Sequence, residues 1–272
     1  MTRVRSALSV CATAALAVPL LAGPAAAVHG TVEVTGLTRS GRLVTFAGDA
    51  PGTILSETKV TGLAAGEKLV AIDVRPLTGV LYGIATDGTS ARLYRIDNGV
   101  ATAVGAAFAI AGALSIDFNP TVDRVRLVST DGTNLRLHPD TGAVVAVDGT
   151  LAYGSGAAQV ADVAYTNSDT DPTTATTLYD IDSARDALAI QNPPNAGTLT
   201  AVGPLGVATA PDATGFDIYT YVADGTVRNL AFVSTFDRGR STLGMVNLAT
   251  GAVTSFGVIG GSPAVVDIAV TP

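Results

Sequence analysis

Short apolar runs alternate with turn-forming residues along most of this chain. Runs at 80–85, 92–96 and 101–104, for example, are separated by Asp87-Gly88 and Asn98-Gly99. Such pairs favour tight hairpin turns because those turns need positive φ angles. Thirty glycines and thirteen prolines also leave little room for helices. The pattern predicts an all-β protein built from hairpins.

An aspartate flanked by apolar residues recurs in five of these runs. The steps between the aspartates are 44, 45, 55 and 50 residues, which is the length of a four-stranded propeller blade with variable loops. The five runs are Ile72-Asp73-Val74, Ile116-Asp117-Phe118, Ala161-Asp162-Val163, Phe216-Asp217-Ile218 and Val266-Asp267-Ile268. The repeat predicts a β-propeller.

The two ends of the chain complement each other. Residues 32–38, 42–47 and 53–61 form three strand-like runs without an aspartate-bearing first strand, and residues 265–270 supply that strand alone. Joining them completes a fifth blade and removes the exposed edges that an open array of sheets would keep. We therefore expect five four-stranded blades in a single domain over residues 28–272, closed by pairing of the N- and C-terminal strands. Four or six blades are the alternatives if a weak repeat is misread.

Residues 1–27 are typical of a cleaved signal peptide. Arg3 and Arg5 precede an apolar run over residues 7–21, and three alanines at 25–27 form a small-residue cleavage site. The run is too short for a membrane-spanning helix, and the chain ends without a hydrophobic tail. The one cysteine, Cys11, lies inside this segment. We expect a secreted, cysteine-free protein in the extracellular or cell-envelope space, with no membrane span.

Charge excludes one class of partner. The formal net charge is −7, and all 23 acidic residues follow the predicted cleavage site. An acidic protein without a basic stripe lacks the attraction that supports binding to a phosphate backbone. We therefore expect no nucleic-acid partner. We expect a monomer that binds an envelope component or another protein.

Several polar stretches in the second and third repeats resemble a secreted bacterial family catalogued only as a domain of unknown function. They are Asp117-Phe118-Asn119-Pro120-Thr121-Val122-Asp123-Arg124-Val125-Arg126, Asn134-Leu135-Arg136-Leu137-His138-Pro139-Asp140-Thr141-Gly142, Asp148-Gly149-Thr150-Leu151-Ala152-Tyr153, Ala164-Tyr165-Thr166-Asn167-Ser168 and Gln191-Asn192-Pro193-Pro194-Asn195. The resemblance covers roughly residues 55–271 and implies export and a propeller-like repeat, but no activity. At His138 this chain departs from the family's usual asparagine.

The five repeated aspartates are the first candidate site. Their apolar neighbours lie on one face of each run and the carboxylates on the other, and the first strand of a blade lines the channel of a propeller. Carboxylates gathered near one axis repel each other unless they accept N–H bonds, pair with cations or hold a metal such as calcium. Two interpretations stay open: each aspartate accepts hydrogen bonds from a loop of the adjacent blade and fixes the register between blades, or the aspartates bind an ion or polar ligand.

A second candidate is a calcium loop in the third repeat. Asn167, Asp169 and Asp171 have the alternating spacing of the first three ligands of such a loop. Pro172 stands where the turn needs glycine, and Leu178 where a bidentate glutamate belongs. The alternative is a solvated turn.

Arginines also recur beside these aspartates. Arg75 follows Asp73, and Arg124, Arg126 and Arg136 lie near Asp123 and Asp140 in sequence. Because arginine can fork onto a carboxylate, structural ion pairs are favoured over a substrate clamp.

Catalytic motifs are missing from the sequence. Residues 28–272 contain no cysteine, two histidines and no Gly-x-Ser-x-Gly nucleophile elbow. The first hypothesis is a secreted, noncatalytic binding or scaffold propeller. Its alternatives are a calcium-dependent hydrolase or lactonase that uses the channel carboxylates, and a structural module of the cell surface.

Overall fold

The alternation of apolar and polar residues, cut by glycine turns, produces short antiparallel strands. The computed structural model describes residues 32–271 except 155, 170, 172, 224, 262 and 263. The described residues contain no α-helix. At the Asn98-Gly99 turn both residues have positive φ, 49° and 80°, as a tight hairpin requires. The predicted signal peptide lies outside the described residues.

Twenty of the strands form five four-stranded sheets, each one propeller blade. Blade 1 is β4 (Lys68–Arg75), β5 (Val80–Thr86), β6 (Ser90–Asp97) and β7 (Val100–Ala109). Blade 2 is β8 (Leu114–Asn119), β9 (Arg124–Ser129), β10 (Asn134–Leu137) and β11 (Val144–Val147). Blade 3 is β14 (Val160–Tyr165), β15 (Leu178–Asp182), β16 (Ala187–Gln191) and β17 (Leu199–Pro204). Blade 4 is β18 (Thr214–Ala223), β19 (Thr226–Asp237), β20 (Arg240–Val246) and β21 (Val253–Val258).

Blade 5 is made from both ends of the chain, as predicted. Its order is β22 (Val265–Val270), β1 (Glu33–Thr38), β2 (Arg42–Ala47) and β3 (Ala50–Lys59). The antiparallel register places Val34 opposite Val270, and the Thr271 N–H donates to the Glu33 carbonyl at 3.2 Å. The C-terminal strand thereby closes the ring.

The hydrophobic core is divided among the five junctions between blades. Each junction has its own cluster of buried side chains, contributed by the two blades that meet there. Between blades 1 and 2, for instance, the rings of Tyr82 and Phe118 meet edge to face with centroids 5.2 Å apart. No blade can bury its apolar faces alone, so the ring stabilises every blade.

Two small elements interrupt the regular repeat beside blade 3. The hairpin of β12 (Ala152–Tyr153) and β13 (Gly156–Ala157) lies between blades 2 and 3, and a short 3-10 helix, Pro194–Ala196, follows β16. No helix among the described residues is long and apolar enough to cross a membrane.

The inner strands β4, β8, β14, β18 and β22 line the central channel. The first residues of all five line a cavity at one end, and later residues of all five line a small cavity at the other. We call the end where the inner strands begin the front face and the opposite end the back face.

Candidate binding sites at the channel

The five predicted aspartates occupy equivalent inner strands, one in each blade. All are buried, with exposed fractions between 1% for Asp162 and 8% for Asp217. The prediction that they mark the first strand of each blade is therefore confirmed.

Each aspartate joins its blade to the next one around the ring. One carboxylate oxygen accepts a backbone N–H from the inner strand of the following blade. The pairs are Asp73 with Phe118 (2.7 Å), Asp117 with Tyr165 (3.0 Å), Asp162 with Phe216 (2.5 Å), Asp217 with Val270 (2.6 Å) and Asp267 with Ile72 (2.6 Å). The donors lie in the inner strands and not in the loops that the first interpretation expected, and the bonds fix the register between blades.

Four of the carboxylates also accept the N–H of the residue that follows them. These bonds reach Val74 (2.6 Å), Val163 (2.9 Å), Ile218 (2.6 Å) and Ile268 (2.8 Å). Hydrogen bonds of this kind offset the cost of burying a carboxyl group without a cation beside it.

The aspartates do not form one ring at a single level, because the inner strands are staggered. Asp162 and Asp267, each the third residue of a six-residue strand, lie toward the front face and hydrogen-bond each other. Asp73, Asp117 and Asp217 lie toward the back face, with carboxylate oxygens within 4.8 Å of one another. The channel therefore holds a front pair and a back trio.

Burial dominates the electrostatics of both groups. Loss of solvent raises the pKa of Asp162 to about 7 and that of Asp217 to about 6. Burial also raises the pKa values of Asp73, Asp117 and Asp267 well above the ordinary range, and neighbouring aspartates add to the rise. The shared hydrogen bond favours a proton on Asp267 that is donated to Asp162.

A cavity of about 370 Å³ opens above the front pair. Leu69, Leu114 and Val266 are among its apolar wall residues, and Asp162 and Asp267 lie at its polar end. We call it the front cavity.

The rim and floor of the front cavity carry further polar groups. Arg39 and Asp212 form a salt bridge of 3.2 Å at the rim, where both side chains are more than half exposed. At the floor the buried Ser115 hydroxyl donates to Asp162 and also accepts the Val163 N–H at 3.3 Å. The front cavity thus combines apolar walls with a few fixed polar groups.

The back trio borders a space of only about 10 Å³, about the volume that a single water needs. Calcium takes six to eight oxygen ligands at about 2.3–2.6 Å. The trio supplies three carboxylates, but both oxygens of Asp73 and Asp217 already accept backbone N–H groups. The cluster could hold one small cation if its carboxyl groups ionise.

The three predicted ligands of the calcium loop accept hydrogen bonds from within the protein. Asn167 Oδ1 accepts from the side chain of Asn229 at 3.0 Å, while Asp169 and Asp171 accept backbone N–H groups two residues ahead at 3.0 and 2.8 Å. Calcium binding by Asn167, Asp169 and Asp171 stays a prediction.

Arg75, Arg126 and Arg136 form ion pairs, and the latter two pair with Asp148, which the sequence did not point to as a partner. Arg75 forks onto Asp123 and also bonds Asp140 at 2.6 Å. Arg126 and Arg136 both bond Asp148, at 2.6 and 2.8 Å. Asp148 lies within one of the stretches that carry the family resemblance. That position was the sequence signal that could have identified it as a partner of the arginines.

Residues 42–269 match the family described as Domain of unknown function (DUF4394). The chain belongs to the DUF4394 family. A comparison of this DUF4394 chain with curated proteins found no match.

Some solved structures have a partly similar backbone and a distant sequence. TolB from Acinetobacter baumannii is 11% identical with a TM-score of 0.49, and the alignment covers 90% of the DUF4394 chain and 67% of TolB. The Pseudomonas aeruginosa periplasmic gluconolactonase PpgL is 12% identical with a TM-score of 0.41, covering 84% and 82% of the two chains.

Proposed function

We propose that this DUF4394 protein is a secreted, noncatalytic binding protein whose front cavity is its ligand site. The observation that carries the proposal is an apolar cavity of about 370 Å³ with a buried polar floor at the channel mouth. Ligand sites are commonly concave and mostly apolar, with a few polar groups that fix orientation. The front cavity has this composition.

Hydrogen bonding at the floor favours binding over catalysis. The Asp162 carboxyl group accepts from Val163, Phe216 and Ser115, and the Asp267 carboxyl group from Ile72 and Ile268. A general base needs a lone pair directed at the substrate proton. Here the carboxyl oxygens are committed to holding blades together, which suits a rigid floor.

The lining points to a small ligand with an apolar body and a polar head. Leu69, Leu114 and Val266 would contact the body above the floor that the Asp162–Asp267 pair forms. Lys68 and Arg39 line the same cavity and would favour an anionic group at the rim. A component of the cell envelope would present such a ligand to an exported protein.

The proposal can be tested with an apolar fluorescent anion, anilinonaphthalene sulfonate, and the protein spanning residues 28–272. We expect saturable binding with one site per chain. Val70→Trp should abolish it because Val70 lines the front cavity. Val222→Trp, at a side chain that is 67% exposed, is the matched control and should bind like the wild type.

Two results would contradict this proposal. If both tryptophan variants, folded by circular dichroism, bind the probe equally, the front cavity is not the site. If the wild type hydrolyses p-nitrophenyl acetate or a simple lactone and Ser115→Ala abolishes the reaction, the Ser115–Asp162 pair is catalytic. A protein that binds neither probe nor small molecules but is retained by envelope material would be a structural surface module.

The back trio supports a second candidate, a calcium-dependent hydrolase or lactonase. The observation that supports it is that carboxylate oxygens of Asp73, Asp117 and Asp217 lie within 4.8 Å of one another. A bound cation would lower the pKa values of the trio and could activate water. An increase in melting temperature with calcium or magnesium that EDTA reverses and Asp117→Asn abolishes would support this candidate. No shift with either ion would rule it out.

A further inference from the structure

A second cavity, of about 200 Å³, lies at the junction of blades 2 and 3 near the back face. It is separate from the front cavity and shares no lining residue with it. The polar side chains that line it are Asn119, Arg124, Arg126, Arg136, Tyr165 and Asn195. We call it the arginine pocket.

Arg126 forms the buried wall of the arginine pocket. Its side chain is 2% exposed, and a buried guanidinium is costly unless it is fully paired. It donates to Asp148 at 2.6 Å, to Asn134 and Asn195 at 2.8 Å, and to the Tyr165 hydroxyl at 3.2 Å. These partners come from blade 2, blade 3 and the loops around them, so the guanidinium is held in place before any ligand arrives.

The loop after β16 contributes Pro194 and Asn195 to the lining, and it is also held by hydrogen bonds. The Pro194 carbonyl accepts from Asn134 at 3.1 Å and from Gln191 at 2.5 Å. The Asn195 carbonyl accepts the Gly149 N–H at 3.0 Å. The pocket is therefore preformed, and binding would require little ordering of the chain.

Positive charge exceeds negative charge around the arginine pocket. Three arginines line it, and none of the lining residues is acidic. Asp148 is shared by Arg126 and Arg136. The carboxyl group of Asp180 is near Arg126, but burial raises its pKa well above the ordinary value and favours the neutral form. This excess stands out in a chain with a formal net charge of −7.

The third arginine, Arg124, is not part of that network, although together with Arg75 it helps to lower the pKa of the exposed Asp140. Arg124 donates through Nη1 to the carbonyls of Val122 and Asp123, at 3.4 and 2.8 Å. Its Nε and Nη2 donate in none of the hydrogen bonds found among the described residues. Arginine carries five N–H donors in a planar fork that matches carboxylate and phosphate oxygens. Arg124 can thus offer its Nε and Nη2 N–H groups to an anion in the pocket.

We propose that the arginine pocket binds the oxyanion group of a small solute, a carboxylate or a phosphoryl group. Arg124 and Arg136 would contact the anion from the open side, and the fixed Arg126 with Asn195 would contact it from the buried side. A volume of about 200 Å³ suits a small anion rather than a polymer. This site lies away from the front cavity, and its occupancy does not depend on the function proposed above.

The test uses the melting temperature and calorimetric titration of the protein spanning residues 28–272. The probes are inorganic phosphate, sulfate and succinate, each compared with chloride at equal ionic strength. A ligand that binds only the folded state raises its stability by about RT ln(1 + [L]/Kd), so at least one probe should raise the melting temperature above the chloride value. A response to phosphate without succinate would identify a phosphoryl site, and the reverse a carboxylate site.

Arg124→Gln is the decisive variant because it leaves the Arg126–Asp148–Arg136 network untouched. We expect it to weaken binding of the active probe at least about tenfold, as loss of one charge-assisted contact would. Arg228→Gln, at an exposed position of strand β19, removes the same charge elsewhere and should leave affinity unchanged. The proposal is wrong if no probe exceeds chloride, or if both variants lose affinity equally, which would indicate general charge screening.

Discussion

The inner-strand aspartates are buried and connect neighbouring blades through hydrogen bonds. Each carboxylate reaches one residue of the next inner strand, so a single side chain fixes how far one blade slides along its neighbour. A buried N–H group that loses its acceptor costs about 1–3 kcal/mol. These residues should therefore be sensitive to truncation, although none pairs with a cation.

Asp217→Ala is expected to lower the free energy of unfolding by about 1–3 kcal/mol for each of the two backbone N–H groups that lose their acceptor. Those groups belong to Val270 and Ile218, both 2.6 Å from the carboxylate. Asp217→Asn keeps one acceptor and should cost less. Urea denaturation measures both, with Asp237→Ala, at an exposed side chain, as control. Equal stability of Asp217→Ala and Asp237→Ala would show that these bonds do not stabilise the ring.

Stability should decrease as the pH rises from weakly acidic to neutral. Asp162 and Asp217 have folded pKa values of about 7 and about 6, above the ordinary 3.8. Between these values and 3.8 the folded chain holds protons that the unfolded chain has released. Each group then lowers the free energy of unfolding by up to about 1.4 kcal/mol for every unit that the pH rises. This decrease is complete once the pH has passed the folded pKa of the group.

Urea denaturation at about pH 5 and about pH 8 measures this slope, and Asp162→Asn should reduce it. At lower pH the sign reverses for Asp148: burial opposes its ionisation, but hydrogen bonds from Arg136 and Arg126 outweigh burial and lower its pKa. Its contribution is lost as the pH falls through that lowered pKa. A stability that rises steadily from about pH 5 to about pH 8 would contradict the assigned shifts.

At the scale of the strands, close approach of backbones constrains the inner ring. A Cβ atom added to Gly215 on β18 would lie 2.6 Å from the Ile268 nitrogen and 2.7 Å from the Asp267 Cα on β22. Backbone atoms of a closing strand cannot move aside without disturbing the hydrogen bonds on both of its sides. A glycine is thus required where blades 4 and 5 meet.

Gly215→Ala should destabilise the protein by about 1–3 kcal/mol, the usual cost of overpacking. Gly154→Ala is the matched control, since a Cβ there meets nothing within 4 Å. Thermal unfolding of the two variants provides the comparison. If the two melting temperatures agree, the approach of β18 to β22 is looser than the distances indicate.

At the scale of the molecule, stability depends on closing the ring. Every apolar cluster joins two blades, and β22 contributes to blade 5 while contacting β4 and β18. An open ring would expose the unpaired edge of β1, which favours aggregation. The C-terminal strand therefore stabilises the whole ring and not only the blade to which it belongs.

Deletion of residues 264–272 should abolish cooperative unfolding and cause aggregation. A circular permutant joined from residue 271 to residue 32 by a short linker and opened between residues 206 and 207 should fold, because it keeps every strand pair and the joined ends lie side by side. Circular dichroism and size-exclusion chromatography distinguish the two outcomes. A monomeric, cooperatively folding deletion variant would contradict the closure argument.

Local patterns alone determined the strands, the turns, the five-fold repeat and its closure by the two ends. Alternating polarity and glycine turns act over a few residues, and an aspartate repeated in each inner strand marks the repeat in the sequence itself. These features could therefore be predicted before any coordinates.

Only the tertiary structure decided how the functional candidates assemble. The split of the aspartates into a front pair and a back trio follows from the stagger of the inner strands, which the sequence does not show. The arginine pocket joins residues as distant as Arg126 and Asn195, 69 positions apart, and the front cavity joins the starts of all five inner strands. Such sites depend on the packing of whole blades, and no local pattern of residues encodes that packing.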